Sequence, residues 1–301
     1  MATKTRAPLP VSPGPWSLQG EAWIFIIRDQ PFSETPVPLP EGNYAPLEKG
    51  SAGDLSHRFH GGTGLFLVIR YSATPVGRYD EIMIVPGLFS YKVKGRKDKL
   101  YRWAITRLYV SRDESTCNGR PNWGIPKHTA DFTFTDVADG SQQLTVQHPV
   151  PGATPFFRCR LQHSRLTPFS FPVSTTWLET RLAKTLLVRH YEIELIQPPC
   201  PAAEGDDDPR IAPEGQRAEA LKEGTGYRRV LHPASGWGKA CKLLPAPPAA
   251  GEPGYGQDWS EFGDGKSFPK FKGSYLERLN VHLLTFDMLV PLAELVDVED
   301  E

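Results

Sequence analysis

The chain has little that would tie it to a membrane, a nucleic acid or a disulfide framework. No window approaches the ~18 consecutive apolar residues that read as a membrane-spanning helix. Residues Met1 to Pro10 carry no apolar core of the kind a secretory signal needs. Lys and Arg number 34 against 35 Asp and Glu, a formal charge of −1, so no global basic footprint offers itself to a phosphate backbone. Cys117, Cys159, Cys200 and Cys241 never form a C-x-x-C pair and read as reduced thiols, which points to a cytoplasmic protein; a secreted disulfide pair is the alternative. There is no P-loop, no G-x-S-x-G elbow and no G-x-G-x-x-G after a strand. His57 and His60 come nearest to a metal site, but they sit in a Gly-flanked polar loop with no Cys or Glu at ligand spacing. No metal and no cofactor are expected.

Proline is plentiful: 30 among 301 residues, twice the usual share of about 5%. So many helix breakers argue for a β-rich chain with long loops. The apolar runs agree, being short and often alternating. The clearest are 21–28, 64–71, 80–86 and 101–111, the last with Trp103, Ile105 and Arg107 expected on one face. Segments 130–136 and 143–147 flank a turn and form a hairpin. Further strands are expected at 156–162, 187–196, 239–244 and 281–290, with one short helix candidate at 178–186. The basic run from Lys92 to Arg102 reads as a solvated hairpin loop or an anion-binding patch. Residues 31–63 read as loop or disorder. We therefore expect one domain over 1–301, with a Pro-rich extension at 1–15 and a flexible acidic insertion at 200–228 that packs little on the core.

One region is dense in chemistry. Val76-Gly-Arg-Tyr-Asp-Glu81 enters a strand, and about 40 residues on comes Asn118-Gly-Arg-Pro-Asn-Trp-Gly-Ile-Pro-Lys127-His128, read as a loop that delivers a lysine to a strand. Pro126 fixes the approach, while Trp123 and Ile125 supply apolar walls. Such walls disfavour an ammonium and so could activate an amine. The plainer reading is a surface lysine lying along apolar neighbours.

These segments resemble acetoacetate decarboxylase and its broader superfamily, as a divergent fungal-type member. Gly119-Arg120 followed by Pro126-Lys127 matches the segment that carries the family's lysine, and Gly77, Tyr79 and Glu81 match its Gly-x-Tyr-x-Glu. Tyr109 falls ten residues before Gly119, as a tyrosine does there, and the stretch from Arg70 to Glu81 is similar to that of fungal relatives. Weaker matches are Gly14-Pro15-Trp16 and Glu21 on the first strand. The departures are specific. His128 stands where the family has a second lysine, Phe66 where it has an upstream glutamate, and Gly20 near its first-strand arginine.

The resemblance implies a mainly β, α+β fold: a curved barrel- or cone-like antiparallel sheet around an apolar cavity. It implies a lyase-type enzyme in which Lys127 forms a Schiff base with a carbonyl or polyketide-like metabolite, and Glu81 moves a proton or orients the amine. Decarboxylation, aldol-type reaction, dehydration and cyclisation share that logic. Phe66, Arg70, Tyr79, Arg107, Trp123, Ile125 and His128 are the candidate substrate contacts, with Arg70 and Arg107 either replacing the lost carboxylate clamp or facing solvent. Burial is expected to be the main activating influence on Lys127. The alternatives are a cavity protein that folds an apolar metabolite by shape, without a covalent step, and an inactive relative. A small-molecule partner is expected, nucleic acid and membrane are not, and a homo-oligomer is left open.

Overall fold

The structure is a computed structural model, and it describes residues 9–165, 167, 169–174, 176, 194–201, 226–230, 233–248, 250–256 and 258–299. The helix expected at 178–186, most of the strand expected at 187–196, most of the 200–228 insertion and the first part of the Pro-rich extension lie outside these residues.

The protein is built mainly from strands. An 11-stranded sheet, antiparallel except at one end, curls into a nearly closed barrel. Its centre is β1 (Trp16–Ile27) between β2 (Gly64–Ala73) and β15 (Val281–Val290). Beyond β2 come β3 (Tyr79–Val85), β6 (Arg107–Val110) and β7 (Lys127–Thr129). Beyond β15 come β14 (Ala234–Leu244), β10 (Phe157–His163), β9 (Gln142–Gln147) and β8 (Asp131–Asp136), with β11 (Phe171–Ser174) pairing β14. A smaller sheet runs β16 (Glu294–Val296), β13 (Tyr227–Val230), β12 (Leu195–Gln197), β5 (Leu100–Trp103) and β4 (Leu88–Tyr91). Among the described residues there is one α-helix, α1 (Asp113–Trp123), which connects β6 to β7.

The central strands are apolar on both faces because each face is covered. Side chains alternate across a strand, so Leu65, Leu67, Ile69 and Tyr71 of β2 look into the barrel while Phe66 and Val68 look out. The outward face is buried under a second core, where Phe66 stacks among Phe25, Phe157 and Phe271 at centroid distances of 5.0 to 5.9 Å. Full burial of such a ring stabilises the fold by roughly 1.5–3 kcal/mol.

Three readings of the sequence change. The strand expected at 101–111 is two, β5 and β6, which enter different sheets after a break at Ala104–Thr106. The segment 118–128 is not all loop, since 118–123 is the second half of α1. Asp113 and Glu114 suit the positive end of a helix, and Gly124, at φ 68°, ends it in the left-handed conformation with its N–H donating to the Arg120 carbonyl. Pro121 within the last turn made this helix hard to see. Residues 31–63 are mostly irregular but packed, with Asn43, Glu48, Leu55 and Phe59 buried. The basic run does bridge β4 and β5, with Lys92 and Lys94 paired to Glu299 and Asp297.

Candidate active site

Lys127 is the first residue of β7, which runs parallel to β6 with Lys127 opposite Leu108. Its side chain enters the barrel and is 6% exposed. The ammonium donates to Oε2 of Glu81 at 2.9 Å and to Oγ of Ser115 at 3.1 Å. The Tyr79 ring lies beside it, its centroid 5.4 Å from Nζ. Tyr71 donates its phenolic O–H to the other Glu81 oxygen at 3.3 Å. Strand register explains the grouping: Tyr79 faces Tyr71 and Glu81 faces Ile69 across β2 and β3, with α1 supplying Ser115 from above.

Gly119 is part of this construction. A Cβ there would sit 2.6 Å from both Cδ and Cε of Lys127, so α1 can cover the lysine stem only with glycine at that position. Arg120 secures the backbone of the same residue, donating to the Lys127 carbonyl at 3.2 Å, to Glu48 at 2.8 Å and to the Pro201 carbonyl at 3.0 Å. His128 closes the cluster through Nε2, 3.0 Å from Glu48. Burial pushes the Glu48 carboxyl up, but His128 and Arg120 outweigh burial and hold it down at about 2.

The electrostatics of Lys127 correct the expectation that burial would dominate. Burial does act to lower its pKa, yet the Glu81 charge and the hydrogen bonds of Glu81 and Tyr79 outweigh it and lift the pKa above the ordinary value. The resting site is therefore an ammonium–carboxylate pair. Burial pushes the Tyr79 phenol up to about 12 despite the lysine charge, so both it and Tyr71, raised further by burial and by Glu81, stay protonated.

The pair faces a cavity of about 440 Å³. Its walls are apolar: Ala22, Ile24 and Ile26 of β1, Leu65, Leu67 and Ile69 of β2, Met83 and Val85 of β3, and Leu283, Phe286 and Met288 of β15. Trp103, Ile105, Trp123 and Ile125 close the side near the lysine strand. Trp123 is fixed by a hydrogen bond to the Pro291 carbonyl at 2.8 Å and an edge contact with Trp16 at 5.0 Å.

Of the residues singled out in the sequence, Lys127, Glu81, Trp123 and Ile125 line this cavity, and Tyr79 reaches Lys127 from beside it. Four do not. Phe66 is in the second core. Arg70 turns outward to Glu21 and Asp80, each at 3.2 Å, over the Phe134 ring. Arg107 is buried against the carbonyls of Gly42 and Lys266 at 3.0 and 3.1 Å. His128 points to Glu48. One cause covers all four: the pleat turns Ile69, Leu108 and Lys127 inward, so the neighbours Arg70, Arg107 and His128 must face away, and Phe66 likewise beside Leu65 and Leu67. Ser115, Tyr71 and Glu48 were not singled out. Tyr71 had a signal, the period-2 relation to Ile69; the others depended on contacts distant in sequence. Among the described residues, no group of three or more His, Cys, Asp or Glu is placed to hold a metal ion.

No protein-family model matches the chain, and no curated protein matches its sequence. Several solved structures are similar in chain path. An acetoacetate decarboxylase from Legionella pneumophila is 13% identical, with a TM-score of 0.46 over 99% of this chain and 92% of that one. An acetoacetate decarboxylase-like enzyme from Sphingomonas wittichii RW1 is 11% identical, with a TM-score of 0.47 over 99% of each chain. The enduracididine biosynthesis enzyme MppR is 13% identical, with a TM-score of 0.42 over 97% and 98%. What this chain does must be read from its own site.

Proposed function

We propose that this protein is a lyase-type enzyme that binds a carbonyl or polyketide-like metabolite in the barrel and condenses it with Lys127. The observation that carries the reading is the Lys127–Glu81 pair, 2.9 Å apart at the wall of an apolar cavity. Glu81 first takes a proton from the ammonium, which frees the nitrogen lone pair to attack the carbonyl carbon. The nitrogen of the adduct then passes one of its protons to the alkoxide oxygen, giving a carbinolamine, and Glu81 returns the other proton to that hydroxyl, which leaves as water. In sum, ammonium and ketone become iminium and water, so the cation beside Glu81 is replaced by another cation. The apolar site never has to hold an uncompensated charge. Tyr71, donating to the other Glu81 oxygen, holds the carboxyl group in place beside the amine. The iminium then withdraws electrons from the adjacent carbon, the step common to aldol-type reaction, dehydration, cyclisation and decarboxylation.

Borohydride reduction in the presence of a ketone tests the condensation: it should leave a stable adduct on Lys127, read by peptide mass. The raised pKa of Lys127 favours a second reading, in which the ammonium only donates a hydrogen bond to a carbonyl while the walls fold the ligand. Ligand binding without any adduct selects that reading.

A further inference from the structure

The cavity constrains its ligand in charge and in shape. Among the described lining residues, Lys127 is the one cation and Glu81 the one anion, and they are already paired. Among the described residues, a ligand carboxylate would find no cation left to meet it, since Arg70 and Arg107 are engaged elsewhere. Burying an ion without a partner is strongly unfavourable. The shape follows from register. Glu81 lies opposite Ile69 on β2, and Val85 lies opposite Leu65. Those four residues span about 13 Å at a strand rise of about 3.3 Å. Over that length β1 contributes Ala22, Ile24 and Ile26 on the same face. The reactive pair is thus at one level of a long apolar slot.

We infer that the substrate is a neutral, elongated carbonyl compound with an apolar body, and that free carboxylates are excluded. The inference rests on Lys127 being the group that meets the carbonyl. It removes decarboxylation of a free oxo acid from the reactions that share the iminium, and leaves aldol-type reaction, dehydration and cyclisation.

The test is calorimetric binding to the full chain at mildly alkaline pH, with three probes: heptyl methyl ketone, the same ketone carrying a carboxylate at its far end, and acetoacetate. The neutral ketone should bind at least tenfold more tightly than either anion, a difference of about 1.4 kcal/mol. A smaller preference, a reversed one, or no binding of the neutral ketone overturns the inference. Borohydride is then added to each mixture. A bound ketone that leaves no adduct on Lys127 refutes the condensation while the substrate class stands. An adduct formed equally well with acetoacetate supports the condensation but overturns the substrate class.

Discussion

Replacing Glu81 with Gln keeps the shape of the side chain and removes its charge, so it separates the two influences on Lys127. In the native protein, burial lowers the lysine pKa, but Glu81 and Tyr79 raise it above 10.5. In Glu81→Gln the burial influence prevails and the pKa falls below that value. Losing one partner of a buried ion pair costs about 3–5 kcal/mol. The sign with pH follows. Native Lys127 contributes stability that is fully present below 10.5 and lost as pH rises through its raised folded value. In the variant the folded pKa is depressed, so the unfolded chain binds more protons between that value and 10.5, and stability rises with pH there. Urea unfolding at a series of pH values should give the largest gap between native protein and variant near neutrality, narrowing steadily toward 10.5. A gap of constant size across that range would refute the assignment, because it would show that the lost interaction did not depend on the charge of the lysine.

Other substitutions probe the rest of the construction. Lys127→Met should abolish adduct formation, and Lys127→Arg should as well, since a guanidinium stays protonated; His128→Ala, which leaves Arg120 on Glu48, should cost far less, all read by borohydride trapping and mass. Gly119→Ala favours the helix by about 1 kcal/mol in propensity but drives a methyl into the lysine stem, so trapping should fall severalfold while circular dichroism stays native. Glu48→Gln should lose roughly 3 kcal/mol at pH values above the ordinary carboxyl value of 4.5, a difference that fades as pH falls toward about 2, where native Glu48 takes up its proton; acid unfolding curves that stay parallel over that range would contradict this.

Much of the architecture was legible because the strands are long and apolar. Segments 64–71 and 281–290 appear as β2 and β15 with nearly the expected bounds. What could not be read was which face of β2 bounds a cavity, because Leu65, Leu67 and Ile69 are no more apolar than Phe66 and Val68. Only the packing of Phe25, Phe157 and Phe271 on one side decides it. The same ambiguity placed Arg70, Arg107 and His128 near the substrate in the sequence reading. Helix α1 was hidden by local composition: Asn118, Gly119 and Pro121 are poor helix formers, and tertiary contact with Lys127 and Glu48 overrides them.

Glycine at 119 and arginine at 120 look in the sequence like turn residues beside a reactive lysine, yet each answers to a separate physical demand. A lysine that must hold its Nζ beside Glu81 needs its four-carbon stem confined, and a helix can confine it only by approaching within contact distance, which requires the missing Cβ of Gly119. A three-residue strand such as β7 has few ladder bonds of its own to fix its register. Arg120 supplies the extra restraint by holding the Lys127 carbonyl while it pairs with Glu48. Glu48, in turn, stays ionised in the interior because His128 and Arg120 face it. His128, which stands where the resembled family has a second lysine, therefore belongs to the support behind the strand, and the strand from which Lys127 reaches Glu81 is held by Arg120 and Glu48, which lie outside the cavity lining.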